Sequence, residues 1–154
     1  MKLFILTAVL SLGLNAMAAV PSNPTVTNPT VNEKVIKTFN QVFSDARDVQ
    51  WATTATYSQA SFRSGSVATR VMIDNNGTLI RTIRYYKANE LPSHVLYQIR
   101  KQYEGKDIAG VTEVSNSEGT SYHLIVNDSR NLYKVTVDHS GTITQEAKYK
   151  RADY

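Results

Sequence analysis

The hydrophobic pattern of the chain switches between two periods, and each switch predicts an element. Val31, Val35, Ile36, Phe39, Val42 and Phe43 recur as a single helical stripe. The preceding Thr30-Val31-Asn32-Glu33 has a capping-box form, with a hydroxyl at the cap and a carboxylate three residues on. Short runs rich in Val, Ile, Thr and Tyr follow at 48–55, 57–64, 67–74 and 78–86, which predicts antiparallel strands. Asp74-Asn75-Asn76-Gly77 reads as a hairpin turn. It lacks the alternating ligands and the distant Glu of a calcium loop. Leu91-Pro92 opens a second helix with the stripe Val95, Leu96, Ile99 and Tyr103, and Gly105 follows its end. Four more strand-like runs come at 110–117, 120–128, 131–138 and 142–150.

Sliding the chain on itself by 64 residues places Asp74 and Gly77 on Asp138 and Gly141. The same shift places Ala60 on Leu124, Val71 on Val135, Leu79 on Ile143 and Tyr85 on Tyr149. The helices match at a shift near 60, so one connecting loop differs in length. The pattern predicts an α+β fold of two tandem α-β4 repeats, 31–89 and 90–154, with an antiparallel sheet of about eight strands and two helices on one face. Whether the repeats share one continuous sheet is left open by the pattern.

Ahead of the repeats, Met1-Lys2, an apolar run from 3 to 14 and Ala16-Met17-Ala18 have the form of a cleaved secretory signal over 1–18. The run is shorter than the ~20 residues needed to span a bilayer, so no stable membrane anchor is expected. Residues 19–30, rich in Pro, Asn and Thr, read as a flexible linker. The expected location is the periplasm or the exterior.

Several motifs occur together in order: Asp48-Val49-Gln50-Trp51 after a helix, Ala60-Ser61-Phe62 on a strand, the Asp74–Gly77 hairpin, and Leu91-Pro92 before a repeated strand set. In this order they resemble the PepSY-like exported proteins, whose fold is similar to that of beta-lactamase inhibitor proteins. The resemblance covers about residues 31–152. It implies a tandem helix-plus-four-strand fold and an inhibitory or binding role.

Composition narrows the chemistry. With 42% apolar and 19% charged residues the chain reads as globular, and with no Cys it offers no thiol nucleophile, thiolate zinc site or iron–sulfur cluster. His94, His123 and His139 fall on a helix, a strand and a turn without a His-x-x-x-His pair, and no Gly-x-Ser-x-Gly elbow occurs. No cofactor or metal is expected, and a metal-dependent hydrolase is the weaker rival reading. Loss of Lys2 with the signal leaves 16 basic and 13 acidic residues, a formal +3, which is mild for a nucleic-acid binder.

Area supplies the positive argument. Eight strands of about five residues, ~4.8 Å apart, make ~650 Å² per sheet face. Two helices of about twelve residues cover ~360 Å². One face therefore stays open, similar in size to one side of a standard protein interface, ~800 Å². Strand alternation assigns Phe62, Val71, Ile73, Leu79, Ile83, Tyr85, Tyr122, Leu124, Val126, Val135, Val137, Ile143, Ala147 and Tyr149 to the helix side. The open side then receives Arg63, Arg70, Met72, Ile80, Arg84, Tyr86, His123, Ile125, Lys134, Glu146, Lys148 and Lys150. Of these, Arg70, Met72, Ile80, Arg84, Tyr86, His123, Ile125, Lys134 and Lys148 are the candidate partner-binding residues, apolar anchors within a basic rim. The expected partner is a protein with an acidic surface, and the expected role is an exported, non-catalytic binding module. Inhibition of an envelope or secreted hydrolase or peptidase is one form that role could take. Envelope assembly, or sensing of a small ligand or peptide, is another.

Overall fold

The computed structural model describes residues 30–152, so the expected signal peptide at 1–18 and the linker up to residue 29 lie outside the described residues. Helix α1 spans Glu33–Val42 and is followed by β1 (Arg47–Thr53), β2 (Tyr57–Ser64), β3 (Val67–Asp74) and β4 (Leu79–Tyr86). A 3-10 turn at Ala88–Glu90 leads to α2 (Ser93–Gln102), then β5 (Asp107–Asn116), β6 (Gly119–Asn127), β7 (Asn131–Val137) and β8 (Ile143–Lys150). Each half is thus one helix and four strands.

Residue Asn32, rather than Thr30, caps α1: its side-chain oxygen accepts from the Lys34 N–H at 2.8 Å. An Asn carbonyl caps as well as a hydroxyl does, so the helix starts behind the nearer of the two. Helix α2 starts directly behind Pro92, whose extended backbone (ψ 136°) feeds the chain into the first turn.

All eight strands form one antiparallel sheet in chain order. The halves join where β4 pairs β5, from Thr82 opposite Ser115 to Tyr86 opposite Val111. The sheet is therefore continuous across the two repeats. Both helices lie on the same side of it. Under α1, Val35 and Phe39 bury against Ala60, Phe62, Val71 and Ile73, with Phe43 and Trp51 packed alongside. Under α2, Leu91, Val95, Ile99 and Tyr103 bury against Val111, Leu124, Val126, Tyr133, Val135 and Val137. Directly paired residues project to one face, and the chain Val71–Thr82–Ser115 links the two clusters across the sheet.

The duplication is visible in the turns. Asp74 accepts from the N–H groups of Asn76 and Thr78, and Asp138 from those of Ser140 and Thr142. Gly77 (φ +90°) and Gly141 (φ +86°) take the left-handed conformation that closes each turn. These bonds hold both carboxyls below the usual carboxylate range, Asp74 chiefly through the Thr78 N–H and Asp138 chiefly through the Ser140 hydroxyl. Asp74 thus spends its carboxylate on its own turn. The shift from 60 to 64 falls in one hairpin: Trp51 pairs Ala60, whereas Val111 pairs Leu124, so β5–β6 is four residues longer.

Two bulges decide which way the outer strands face. Met72 pairs Arg81 while Ile73 pairs Leu79, which leaves Ile80 as an extra residue in β4. Lys134 pairs Ala147 while Val135 pairs Gln145, which leaves Glu146 extra in β8. One extra residue inverts every later side chain on that strand. Arg84, Tyr86, Lys148 and Lys150, expected on the open side, therefore turn to the helix side. Ile83, Tyr85, Ala147 and Tyr149 turn the other way.

Candidate functional site on the open sheet face

No described element covers the face opposite the helices, and its side chains are mainly apolar, hydroxyl and basic groups, with Asp48 and Glu146 lining its recesses. Arg63, Arg70, Met72, Arg81, Ile83 and Tyr85 project there from β2, β3 and β4. Thr112, His123, Ile125, Lys134, Thr136, Ala147 and Tyr149 continue it across β5 to β8. Tyr85 is 38% exposed and Tyr149 50%.

Of the nine residues expected at the site, the structure brings five together on this face: Arg70, Met72, His123, Ile125 and Lys134. Ile80 sits at the β4 bulge, 40% exposed and outside the paired ladder. The other three are corrections. Arg84 and Tyr86 close around Glu113 on the helix side, in the seam between the two cores. Arg84 donates to the Glu113 carboxylate at 3.1 Å, the Tyr86 hydroxyl donates to it as well, and the Arg84 guanidinium lies 5.3 Å from the Tyr86 ring centroid. Burial and, after it, the bond to Glu113 push the Tyr86 hydroxyl far above its ordinary pKa. Lys148 lies over the Tyr133 ring at 5.5 Å and shields the second core. These groups serve the fold.

Strand alternation alone places Tyr85 and Tyr149 on the helix side, and the bulges put them on the open face. In β4 a signal existed, because Leu79-Ile80 and Tyr85-Tyr86 are adjacent apolar pairs that no single alternation can place on one side. In β8 the run Ile143-Thr144-Gln145-Glu146-Ala147 carries no such pair, and only the register reveals the bulge.

Between the two tyrosines the face is hollow. A trough of about 720 Å³ runs over Tyr85, Thr112, His123, Ile125 and Thr136. A second recess of about 660 Å³ shares Ile125 and Lys134 with it and extends to Asn127, Leu132 and Tyr149. His123 Nδ1 lies 3.2 Å from the Thr136 hydroxyl, an ordinary cross-strand hydrogen bond. His94 and His139 line a separate recess beside α2. Among the described residues there is no group of three or more His, Cys, Asp or Glu able to hold a metal ion.

No family model matches the chain, and no curated protein matches it. Solved structures do. A BLIP-like protein from Bacteroides fragilis is 17% identical with a TM-score of 0.58, and the match covers 79% of this chain and 89% of that one. This chain has a BLIP-like fold. A DUF2874 family protein from Bacteroides ovatus is likewise 17% identical over 79% of this chain and 89% of that one, with a TM-score of 0.57. A protein from Bacteroides eggerthii, provisionally described as periplasmic, is 15% identical over 81% and 92%, with a TM-score of 0.56. At such identities the likeness establishes the architecture: an open eight-stranded antiparallel sheet backed by two helices. Among the described residues no helix is long and apolar enough to cross a membrane.

Proposed function

We propose that this protein is an exported, non-catalytic, PepSY-like module that captures another protein on its open sheet face. The secretory form of residues 1–18 supports export. One observation carries the binding reading: both helices roof the same face, while the other presents Tyr85 and Tyr149 to solvent beside Arg70 and Lys134. Solubility explains exposed Arg and Lys, but it does not explain exposed tyrosine rings around a trough. Aromatic and Arg side chains in such a setting are the usual anchors of protein interfaces. The basic groups suit a partner with an acidic surface, and inhibition of an envelope or secreted hydrolase or peptidase would follow where that surface borders an active site.

The test is affinity capture from the native envelope fraction, using wild type, Arg70→Glu and Tyr85→Ala, at low and high salt. Wild type should retain a partner that salt displaces, since exposed charges are screened beyond ~8–10 Å. Both variants should fold normally and retain less of it. Equal retention by both variants would defeat the assignment to this face. The partner's catalytic rate, measured with and without this protein, then separates an inhibitor from an assembly or sensing module.

A further inference from the structure

The duplication has placed a cation–tyrosine pair twice on the open face. Arg70 on β3 lies over the Tyr85 ring at 5.9 Å, and Lys134 on β7 lies over the Tyr149 ring at 5.6 Å. Both cations and both tyrosines are related by the 64-residue shift. The geometry is the same too: Arg70 pairs Ile83 with Tyr85 two residues on, and Lys134 pairs Ala147 with Tyr149 two residues on. Each pair offers a cation over a tyrosine ring whose phenol O–H is a second donor, a combination suited to one carboxylate. Two acidic groups lie nearby, Asp48 in a recess with Arg70 and Tyr85, and Glu146 in the trough with Lys134. Neither forms an ion pair with these cations among the described residues, and Asp74 is bound into its turn.

The ladder fixes the separation of the two pairs. Straight across from Tyr85 lie Thr112, His123 and Thr136, and Tyr149 lies opposite Leu132, four residues further along β7. Four strand steps of ~4.8 Å across and four residues of ~3.3 Å along give a diagonal of ~23 Å. The two joined recesses follow this diagonal. Ile125 and Leu132 line its floor, and the buried Asn127 Oδ1 at its second end has no hydrogen-bond partner among the described residues.

We infer that the open face takes an extended acidic polypeptide segment, laid diagonally across the strands, with two carboxylates about seven residues apart. One carboxylate is held by Arg70 and Tyr85, the other by Lys134 and Tyr149. Seven residues at ~3.3 Å each match the ~23 Å span. A peptide also brings aliphatic side chains for Ile125 and Leu132. The inference rests on the reading of this face as the binding surface and specifies what it reads.

The probe is a displayed peptide library in which two Glu are separated by two to twelve Ser, Thr, Gly or Val positions, selected on the full chain. Enrichment should peak at spacings of about six to eight residues. A peptide from that peak should lose about tenfold or more in affinity against Arg70→Glu or Lys134→Glu, with circular dichroism confirming folding. Glu→Lys at one end of the peptide should rescue Arg70→Glu alone, and the same change at the other end should rescue Lys134→Glu alone. No enrichment, enrichment without a spacing preference, or one exchange rescuing both variants overturns the inference, as does equal competition by polygalacturonate. If envelope capture still depends on Arg70 and Tyr85 while the library shows no spacing preference, the binding reading stands and this inference falls. If spaced peptides bind while both variants leave capture unchanged, the peptide site stands and the partner docks elsewhere.

Discussion

Helices α1 and α2 occupy equivalent places in the two repeats, yet they meet their hairpins differently. In the first repeat the Thr38 hydroxyl donates to the Gly77 carbonyl at 2.7 Å, and a Cβ on Gly77 would sit 3.1 Å from the Lys34 carbonyl oxygen. The equivalent residues of the second repeat, His94, Gln98 and Gly141, border a recess of about 420 Å³, and a Cβ on Gly141 would meet nothing. The longer β5–β6 hairpin reaches this region, where Gly119 lies tight against His139. Turn chemistry has been copied faithfully, because it needs only Asp, Gly and the backbone within five residues. The seat of the helix has not been copied, because it depends on a distant hairpin whose length changed.

The largest effects should come from the two cores. Phe39→Ala is expected to cost ~4 kcal/mol, since Phe39 packs against Phe43, Trp51 and Phe62, and Ile99→Ala ~3 kcal/mol. Urea unfolding followed by Trp51 fluorescence reports the first repeat, and far-ultraviolet circular dichroism reports both. With a continuous sheet the two probes should move together in both variants. Fluorescence running ahead of dichroism in Phe39→Ala would show that the halves unfold separately.

A smaller effect is expected at the seam. Glu113→Ala removes the acceptor of Tyr86 and Arg84 and should cost about 2 kcal/mol, the penalty for leaving such groups without a partner. The same cluster gives a pH test. With its pKa raised on folding, Tyr86 contributes fully below the unfolded value of ~10 and loses that contribution as pH rises above it. Tyr86→Phe should therefore flatten the alkaline decline in stability relative to wild type. An unchanged decline would show that the hydroxyl is not held neutral by its surroundings.

The smallest effects address the helix seats directly. Both Gly77→Ala and Gly141→Ala impose a left-handed conformation on a residue with a Cβ, at ~1 kcal/mol. Gly77→Ala additionally crowds α1 and should cost about half as much again. Equal costs, measured by thermal or urea denaturation, would mean that α1 can shift away as readily as α2 already stands off.

Much of this architecture was legible beforehand, and the failures share one cause. Helical stripes and Asp-x-x-Gly turns are local, so Val35, Phe39, Val95 and Ile99 emerge buried and Gly77 and Gly141 emerge left-handed, as their patterns require. The alternation on β6 and β7 likewise put Leu124, Val126, Val135 and Val137 under α2 and His123, Ile125 and Lys134 on the open face. On β4 and β8 the count failed beyond the bulges. It exchanged Arg84 and Tyr86 for Ile83 and Tyr85, and Lys148 for Tyr149. A one-residue slip costs nothing in composition and inverts a whole strand.

The sequence by itself determined two helices, eight strands, their tandem order and the shortage of helix to cover both faces, because periodicity and turn chemistry act within a few residues. Only the tertiary structure decided that the halves fuse into one sheet and that each fourth strand carries a bulge. It also decided that a tyrosine beside a cation faces solvent in each repeat. Register is set by pairing between residues far apart in the chain, where the energy of one ladder position is shared by two strands and written in neither alone.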